Sequence, residues 1–350
     1  MKYKLPKLIL ISVTILLFSL TFFGTQATAS SSNVGSSVGM FIPRTPGPNI
    51  GFYTCSSTSP CPMGVADYGV NGAQDYSYKA SDFQSWANFT KLTISSKAPY
   101  GCIGDQSYCI TIQQNLVDYN VFEGAGKGTS GEYWPQDVPF VAQSGSKYYV
   151  NELDNIWNFS SGSAEMGGTI YPNLLGQCSQ YGGQPEYYYC VGKTTIKTTL
   201  PFEIFMNTTT GVLASGTYAG HSYIEFGIWV YHSGTLVGGG WYDEVAFNAK
   251  ASSNPYVYVN GAQGNPFGLY NDAETVLCGP GGGSSATISK VAAKITEAYI
   301  PLGGSSLTLI PHAWSAGTDT AETVSGVHMT GSSSQIGKAK HGVDNNNQIW

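Results

Sequence analysis

The chain has 350 residues, a formal net charge of −6 and only 11% charged residues. An average soluble protein carries about 25%, so solubility here rests on Ser, Thr, Asn, Gln and Tyr. The acidic balance argues against nucleic acid, which requires a basic face.

Residues 1–29, MKYKLPKLILISVTILLFSLTFFGTQATA, set three lysines before an apolar run from Leu8 to Phe23 and end on Ala27-Thr28-Ala29. This is the layout of a secretory signal peptide. The run is short for a bilayer span, which takes roughly 20 residues. Cleavage after Ala29 is expected, giving a secreted or cell-surface protein with no later membrane segment. A retained leader would tether it to the membrane or envelope. Three of the 16 Lys and Arg fall in the leader, so 13 face 22 Asp and Glu in the remainder. In strong acid the carboxylates lose their charge, and a chain with few cations avoids repelling itself apart.

Residues 30–50 are rich in Ser, Gly and Pro and read as a flexible lead-in. From 51 to 330 short runs such as KLTIS, CITIQQNLVDYNVF, KYYVNELDNIWNF, TTIKTTLPFEIFM, SYIEFGIWVYH, GGWYDEVAF, PYVYVNG and SLTLIP alternate with turn clusters. Their Val, Ile, Thr, Tyr and Phe content predicts an all-β fold, a β-sandwich of concanavalin-like or jelly-roll type, as one domain or two packed β subdomains. In SATISKVAAKITEAYI the spacing of Ile288, Val291, Ala292, Ile295 and Tyr299 is helical, but its Thr and Ile content and its place among strands make it β. Residues 331–350 form a polar tail.

Cysteines fall in close pairs, Cys55 and Cys61, Cys102 and Cys109, Cys178 and Cys190, with Cys278 left over. In an exported chain such pairs read as disulfide staples on loops. No CxxC or HExxH occurs, so neither a metal nor another cofactor is expected. Sequons at Asn88, Asn158 and Asn207 agree with export.

Four stretches concentrate acids in a chain that economises on charge. GEYWPQDVPF (131–140) sets Gln136 and Asp137 among Tyr133, Trp134 and Phe140, as a binding cleft with a few oriented polar groups would. WYDEVAF places Asp243 and Glu244 on opposite faces of a strand. In GLYNDAETVLCGPGGGSS (268–285) a strand through 269–276 would align Tyr270, Asp272, Glu274 and Val276 on one face. Two carboxylates so close do not both ionise readily, and such a pair can divide acid and base roles. SAGTDTAETVSG (315–326) nearly repeats that pattern with Asp319 and Glu322. For any single acid the plain alternative is a residue capping backbone amides at a turn or strand end.

CPMGVADYGV (61–70), YWPQDVPF, LDNIWNFSS (153–161), FGLYNDAETV with its glycine run, and GTDTAET (317–323) together resemble the thermopsin family of secreted archaeal acid proteases, over roughly residues 45–330. The resemblance implies an endopeptidase acting on polypeptide in hot acid, without metal and made with a leader. It supplies no catalytic pair. A pepsin-like site needs two Asp-Thr/Ser-Gly loops, and this chain has neither DTG nor DSG; Asp319-Thr320-Ala321 is the nearest match. Fungal glutamic peptidases, built on a concanavalin-like sandwich, use a Glu with a Gln, and Glu274 with Gln136 is similar in kind.

That pairing suits acid. A Glu ionised in mild acid can take a proton from water while a Gln amide, which never titrates, donates to an oxyanion. A Ser–His site would fail because its His would be protonated. The expected roles are Glu274 as base and then acid, Gln136 as oxyanion donor and Asp272 tuning Glu274. Asp319 or Asp137 is the fallback carboxylate, and Trp134 and Tyr270 line the substrate. Two rivals use the same features: a glycoside hydrolase or lectin-like carbohydrate-binding sandwich, and a non-catalytic envelope or adhesion protein.

Overall fold

The computed structural model describes residues 64–68, 77–95, 108–123, 129–158, 170–180, 187–264, 270–271, 273–280, 285–309, 323–325, 329–330 and 347–349. Among these there is no helix. In chain order the strands begin with β1 (Gly64–Tyr68), β2 (Ser77–Ile94), β3 (Cys109–Asn115), β4 (Asp118–Glu123), β5 (Thr129–Asp137), β6 (Phe140–Ser144) and β7 (Lys147–Asn158). They continue with β8 (Ile170–Tyr171), β9 (Cys178–Gln180), β10 (Tyr187–Thr198), β11 (Phe202–Val212), β12 (His221–His232), β13 (Thr235–Lys250) and β14 (Tyr256–Gly264). The last are β15 (Tyr270–Asn271), β16 (Ala273–Cys278), β17 (Ser285–Pro301), β18 (Thr308–Leu309), β19 (Thr323–Ser325), β20 (Met329–Thr330) and β21 (Asn347–Ile349).

The pairings build a β-sandwich. One layer runs β1, β16, β3, then β5 and β6 side by side on β3, then β7, β10 and β9. The other runs β17, β2, β11, β12, β13 and β8. At one margin β4 and β14 carry the hydrogen bonding from β5 to β2 and join the layers. Described pairings are antiparallel except β17 with β19.

Period two decides which side chains meet between the layers. On β2, Phe83, Ser85, Ala87 and Phe89 point inward and are fully buried, joining Ile204 and Met206 of β11 and Ile224, Phe226 and Ile228 of β12. The segment with helical spacing is β17, registered against β2 from Ile288 to Pro301. The long partner strand and alternate burial of Val291, Ala293, Ile295 and Glu297 decide for β. Two runs that read as continuous break at corners. CITIQQNLVDYNVF turns at Leu116-Val117 between β3 and β4, and TTIKTTLPFEIFM changes layer at the cis peptide Leu200-Pro201 between β10 and β11. Proline has no N–H for a ladder, which suits it to that corner. Cys178 and Cys190 are bridged, linking β9 to β10, and Cys109 is also disulfide-bonded.

The space between the layers also holds a polar seam. Gln114 of β3 donates to Ser85 Oγ at 2.7 Å and accepts from Thr208 Oγ1 at 2.8 Å. Ser85 and Thr275 share a hydrogen bond of 2.9 Å, and Thr275 donates to Glu297. Thr210 donates to Asp118 Oδ2 at 2.8 Å, Tyr242 to Asp137 Oδ1 at 2.9 Å and Tyr188 to Asp243 Oδ2 at 2.6 Å. Asp118, Asp137, Asp154 and Asp243 are all fully buried. Loss of solvent is the largest cause of each pKa rise: Asp118 is pushed up to about 7, Asp243 to about 6, and Asp137 and Asp154 well above the carboxylate range. Charges on Asp243 and Asp137 raise Asp154 further. The Tyr242 hydroxyl beside Asp154 partly offsets these rises. The contact of Asp154 with Asp243 becomes a hydrogen bond when either acid carries a proton.

An acid that holds its proton more tightly when folded stabilises the fold below its unfolded pKa. That contribution is lost as pH rises through the folded value. The seam is therefore most stable below about pH 4 and weakens up to about pH 7, by on the order of 4 kcal/mol for Asp118 alone. Thermal unfolding midpoints are expected to fall between pH 4 and pH 7, and Asp118→Asn to flatten the decline. Midpoints rising over that range would contradict the sealed-acid reading.

Candidate active site

The other face of the β16–β3–β5–β7 layer turns away from the second layer. On it the register aligns Glu274 with Asn115, Asn115 with Gln136, and Gln136 with Asn155. Glu274 and Gln136 thus sit two strands apart, about 9.5 Å between backbones, and Asn115 joins them. Asn115 Nδ2 donates to Glu274 Oε2 at 3.0 Å, and Gln136 Nε2 donates to Asn115 Oδ1 at 2.7 Å. All three are buried. Asp67 of β1 is the residue opposite Glu274 on its other side.

Walls flank this row. Trp134 pairs with Trp157 one step along β5 and β7, both buried, and Trp157 Nε1 donates to Asn155 Oδ1 at 2.8 Å. At the other end Val138, Phe140, Ala142 and Cys109 form a small apolar cluster with Tyr149 and Leu153. Between them Gln113 Nε2 donates to Thr111 Oγ1, and Thr111 Oγ1 donates to the Gly279 carbonyl at 2.7 Å and shares a hydrogen bond of 3.1 Å with the buried Cys278 thiol. Amides and a carboxylate held between aromatic and aliphatic walls can position a carbonyl and a water.

The structure brings Gln136 and Glu274 into one hydrogen-bonded row and places Trp134 beside it. Asp137, adjacent to Gln136, points the opposite way into the seam, opposite Gln114 and Asp154 in register. There the charge of Glu152, itself pushed up to about 7 by burial, adds to the burial that raises Asp137. Gly192 makes room for Glu152, whose Oε2 would lie 2.3 Å from a Cβ at that position. Asp272 and Asp319 lie outside the described residues. Tyr270 is described only in its backbone, in β15, and of the expected strand through 269–276 residues 270–271 and 273–276 are in strands, while 269 and 272 lie outside the described residues. Asp243 and Glu244 do face opposite ways, and a bulge opposite Phe226 and Gly227 turns Tyr242 inward beside Asp243. Cys178, Cys190 and Asp243 offer ligand-type atoms within 4.8 Å of one another, but the disulfide uses both sulfurs.

Asn115, Asp154 and Asn155 were missed by sequence reasoning, as was the placement of Asp67. A signal existed: Gln113-Gln114-Asn115 and Asp154-Asn155 put polar residues at successive positions of strand-like runs, so both faces of those strands must offer partners.

The thermopsin family model matches residues 49–327. The chain belongs to the thermopsin family. A thermopsin from Sulfolobus acidocaldarius is 26% identical over 286 residues, covering 79% of this chain and 79% of its own. Membership in the thermopsin family supports a protease, a hydrolase whose substrate is polypeptide. The matched region contains every residue of the Glu274–Asn115–Gln136 row.

Asn115→Ala leaves both neighbours one buried partner short, which costs about 1–3 kcal/mol. Chemical unfolding at acid pH is expected to show that loss, and a change below about 0.5 kcal/mol would mean that Asn115 does not hold the row together.

Proposed function

We propose that the protein is a secreted acid endopeptidase in which Glu274 activates water and Gln136 stabilises the oxyanion. The observation that carries this reading is that one amide, Asn115, hydrogen-bonds to both on the face turned away from the other layer. Ionised Glu274 takes a proton from water as the water oxygen bonds to the peptide carbonyl carbon. The carbonyl oxygen becomes an oxyanion and accepts a hydrogen bond from Gln136. One Nε2 hydrogen of Gln136 is committed to Asn115, leaving the second for this role. Glu274 then returns its proton to the leaving nitrogen as the C–N bond breaks. Asp272 lies two residues before Glu274 in sequence, and its charge can raise the proton affinity of Glu274, which has Asp67 opposite it in the β1–β16 register. Trp134 lines the substrate beside Gln136, and Tyr270 precedes the site on β15.

Acid conditions fit because every step uses a carboxyl group or an amide, and because the seam between the layers is most stable when protonated. The leader of residues 1–29 supports export. No step needs a metal.

A second reading has one observation behind it: Asp154 and Asp243 lie close enough to share a proton, as an aspartic-type pair does. Both are sealed between the layers, which favours a structural role.

Digestion of denatured haemoglobin across acid pH separates the readings. Glu274→Gln is expected to lower kcat/KM about 10²–10⁴-fold and Gln136→Ala about 10²–10³-fold, while Asp154→Asn stays active and a chelator changes nothing. Activity retained in Glu274→Gln and lost in a folded Asp154→Asn would transfer the chemistry to the aspartate pair.

A further inference from the structure

The outer face of the second layer carries a different constellation. Trp86 of β2, Phe205 of β11 and Trp229 of β12 stand in one register row. Trp86 stacks on Phe205 at 4.9 Å between ring centroids, and Phe205 meets Trp229 at 5.2 Å. Trp241 of β13 closes the strip edge to face on Trp229 at 5.1 Å and is 37% exposed. This junction depends on Gly227, because a Cβ there would come within 2.4 Å of Trp229 and 2.7 Å of Trp241.

Hydrogen-bonding side chains border the strip on both sides. On one, Asn88 Nδ2 donates to Glu203 Oε2 at 3.4 Å. On the other, Gln84 is aligned with Asn207, and the next row aligns Asp82, Thr209, Glu225 and Glu244. Gln84 Nε2 donates to Asp82 Oδ1 at 2.9 Å, and Asn207 Nδ2 donates to Asp82 Oδ2 at 3.4 Å. Asn207 is only 6% exposed, and its Oδ1 has no hydrogen-bond partner. A buried acceptor left unmatched beside an aromatic strip calls for a donor from outside.

We propose that this face binds a neutral carbohydrate chain, with its apolar C–H faces on the aromatic strip and its hydroxyls on Asn207, Gln84 and the flanking acids. The bordering rows set Glu203, Asp82, Glu225 and Glu244 against Lys294 of β17, which is aligned with Asn88, so an acidic polymer meets more like charge than opposite charge. The bordering carboxyls are unsuited to a lipid surface, which favours Lys and Arg beside buried aromatics. Burial and the neighbouring Glu244 charge push Glu225 up to about 7, so in acid it is a neutral donor and acceptor matched to hydroxyls. The function lies on the opposite outer face from the Glu274 row and does not depend on the assignment of that row.

Affinity electrophoresis tests this with the full chain made without N-linked glycans, so that Asn88 and Asn207 are unmodified. Gels contain soluble neutral glucan, mannan or no polysaccharide at acid pH. The wild-type chain is expected to be retarded by at least one polymer. Trp241→Ala and, as a second variant, Gln84→Ala should weaken that retardation at least tenfold while haemoglobin digestion stays within twofold. No retardation of the wild-type chain by either polymer, or equal retardation of wild type and both variants, would overturn the proposal.

Discussion

A carboxyl group sealed between two β-layers must be uncharged or well paired, because transfer of a bare carboxylate out of water is too costly for any fold of ordinary stability. Asp118, Asp137, Asp154 and Asp243 all occupy such positions, and their described donors are the hydroxyls of Thr210, Tyr242 and Tyr188 and the backbone N–H groups of Tyr119, Tyr256, Val138, Glu244 and Asn173, none of them a cation. A hydroxyl satisfies one oxygen of a protonated acid far better than it neutralises a charge. The seam therefore ties the architecture to acid solvent more directly than the low charge content does.

The same constraint separates structural polar groups from those available for chemistry. Along one layer four strands each present two adjacent polar residues: Glu274 and Thr275, Asn115 and Gln114, Gln136 and Asp137, Asn155 and Asp154. Since successive side chains alternate, two cross-strand rows lie back to back. Thr275, Gln114, Asp137 and Asp154 face the seam. Glu274, Asn115, Gln136 and Asn155 face away from it. Hydrogen bonds in the seam hold the layers together, and that rigidity fixes the strand register on which the outward row depends. A one-residue slip would exchange the two rows, so the polar doublets also specify register.

Much of the strand content was legible because Val, Ile, Thr and aromatic residues alternate with polar ones, and because turn residues mark the ends. The close spacing of Cys178 and Cys190 indicated their bridge. The length of β2 was not legible beyond KLTIS, since one face of SDFQSWANFT is polar or aromatic and reads as loop. At the site, Glu274, Gln136 and Trp134 were recognisable as an acid, an amide and an aromatic in apolar settings. That Asn115 joins them was not, because cross-strand register is set by partners distant in sequence: 21 residues separate Gln136 from Asn115 and 159 separate Asn115 from Glu274. Period two does put Gln136 and Asp137 on opposite faces, yet it does not say which face is sealed. Packing of Tyr242 and Gln114 against Asp137 decides that.

Proton bookkeeping on unfolding reaches the central claim most directly. Denaturing the chain in weakly buffered solution near pH 5.5, with a pH-stat recording base consumption, counts the protons that the fold retains. The four sealed acids, together with Glu132, Glu152 and Glu225, which burial also pushes up to about 7, should give up on the order of six protons per molecule as they meet water. A release near zero, or an uptake, would mean that these carboxyls are ionised in the folded protein and that the division between a protonated seam and an outward working row is wrong.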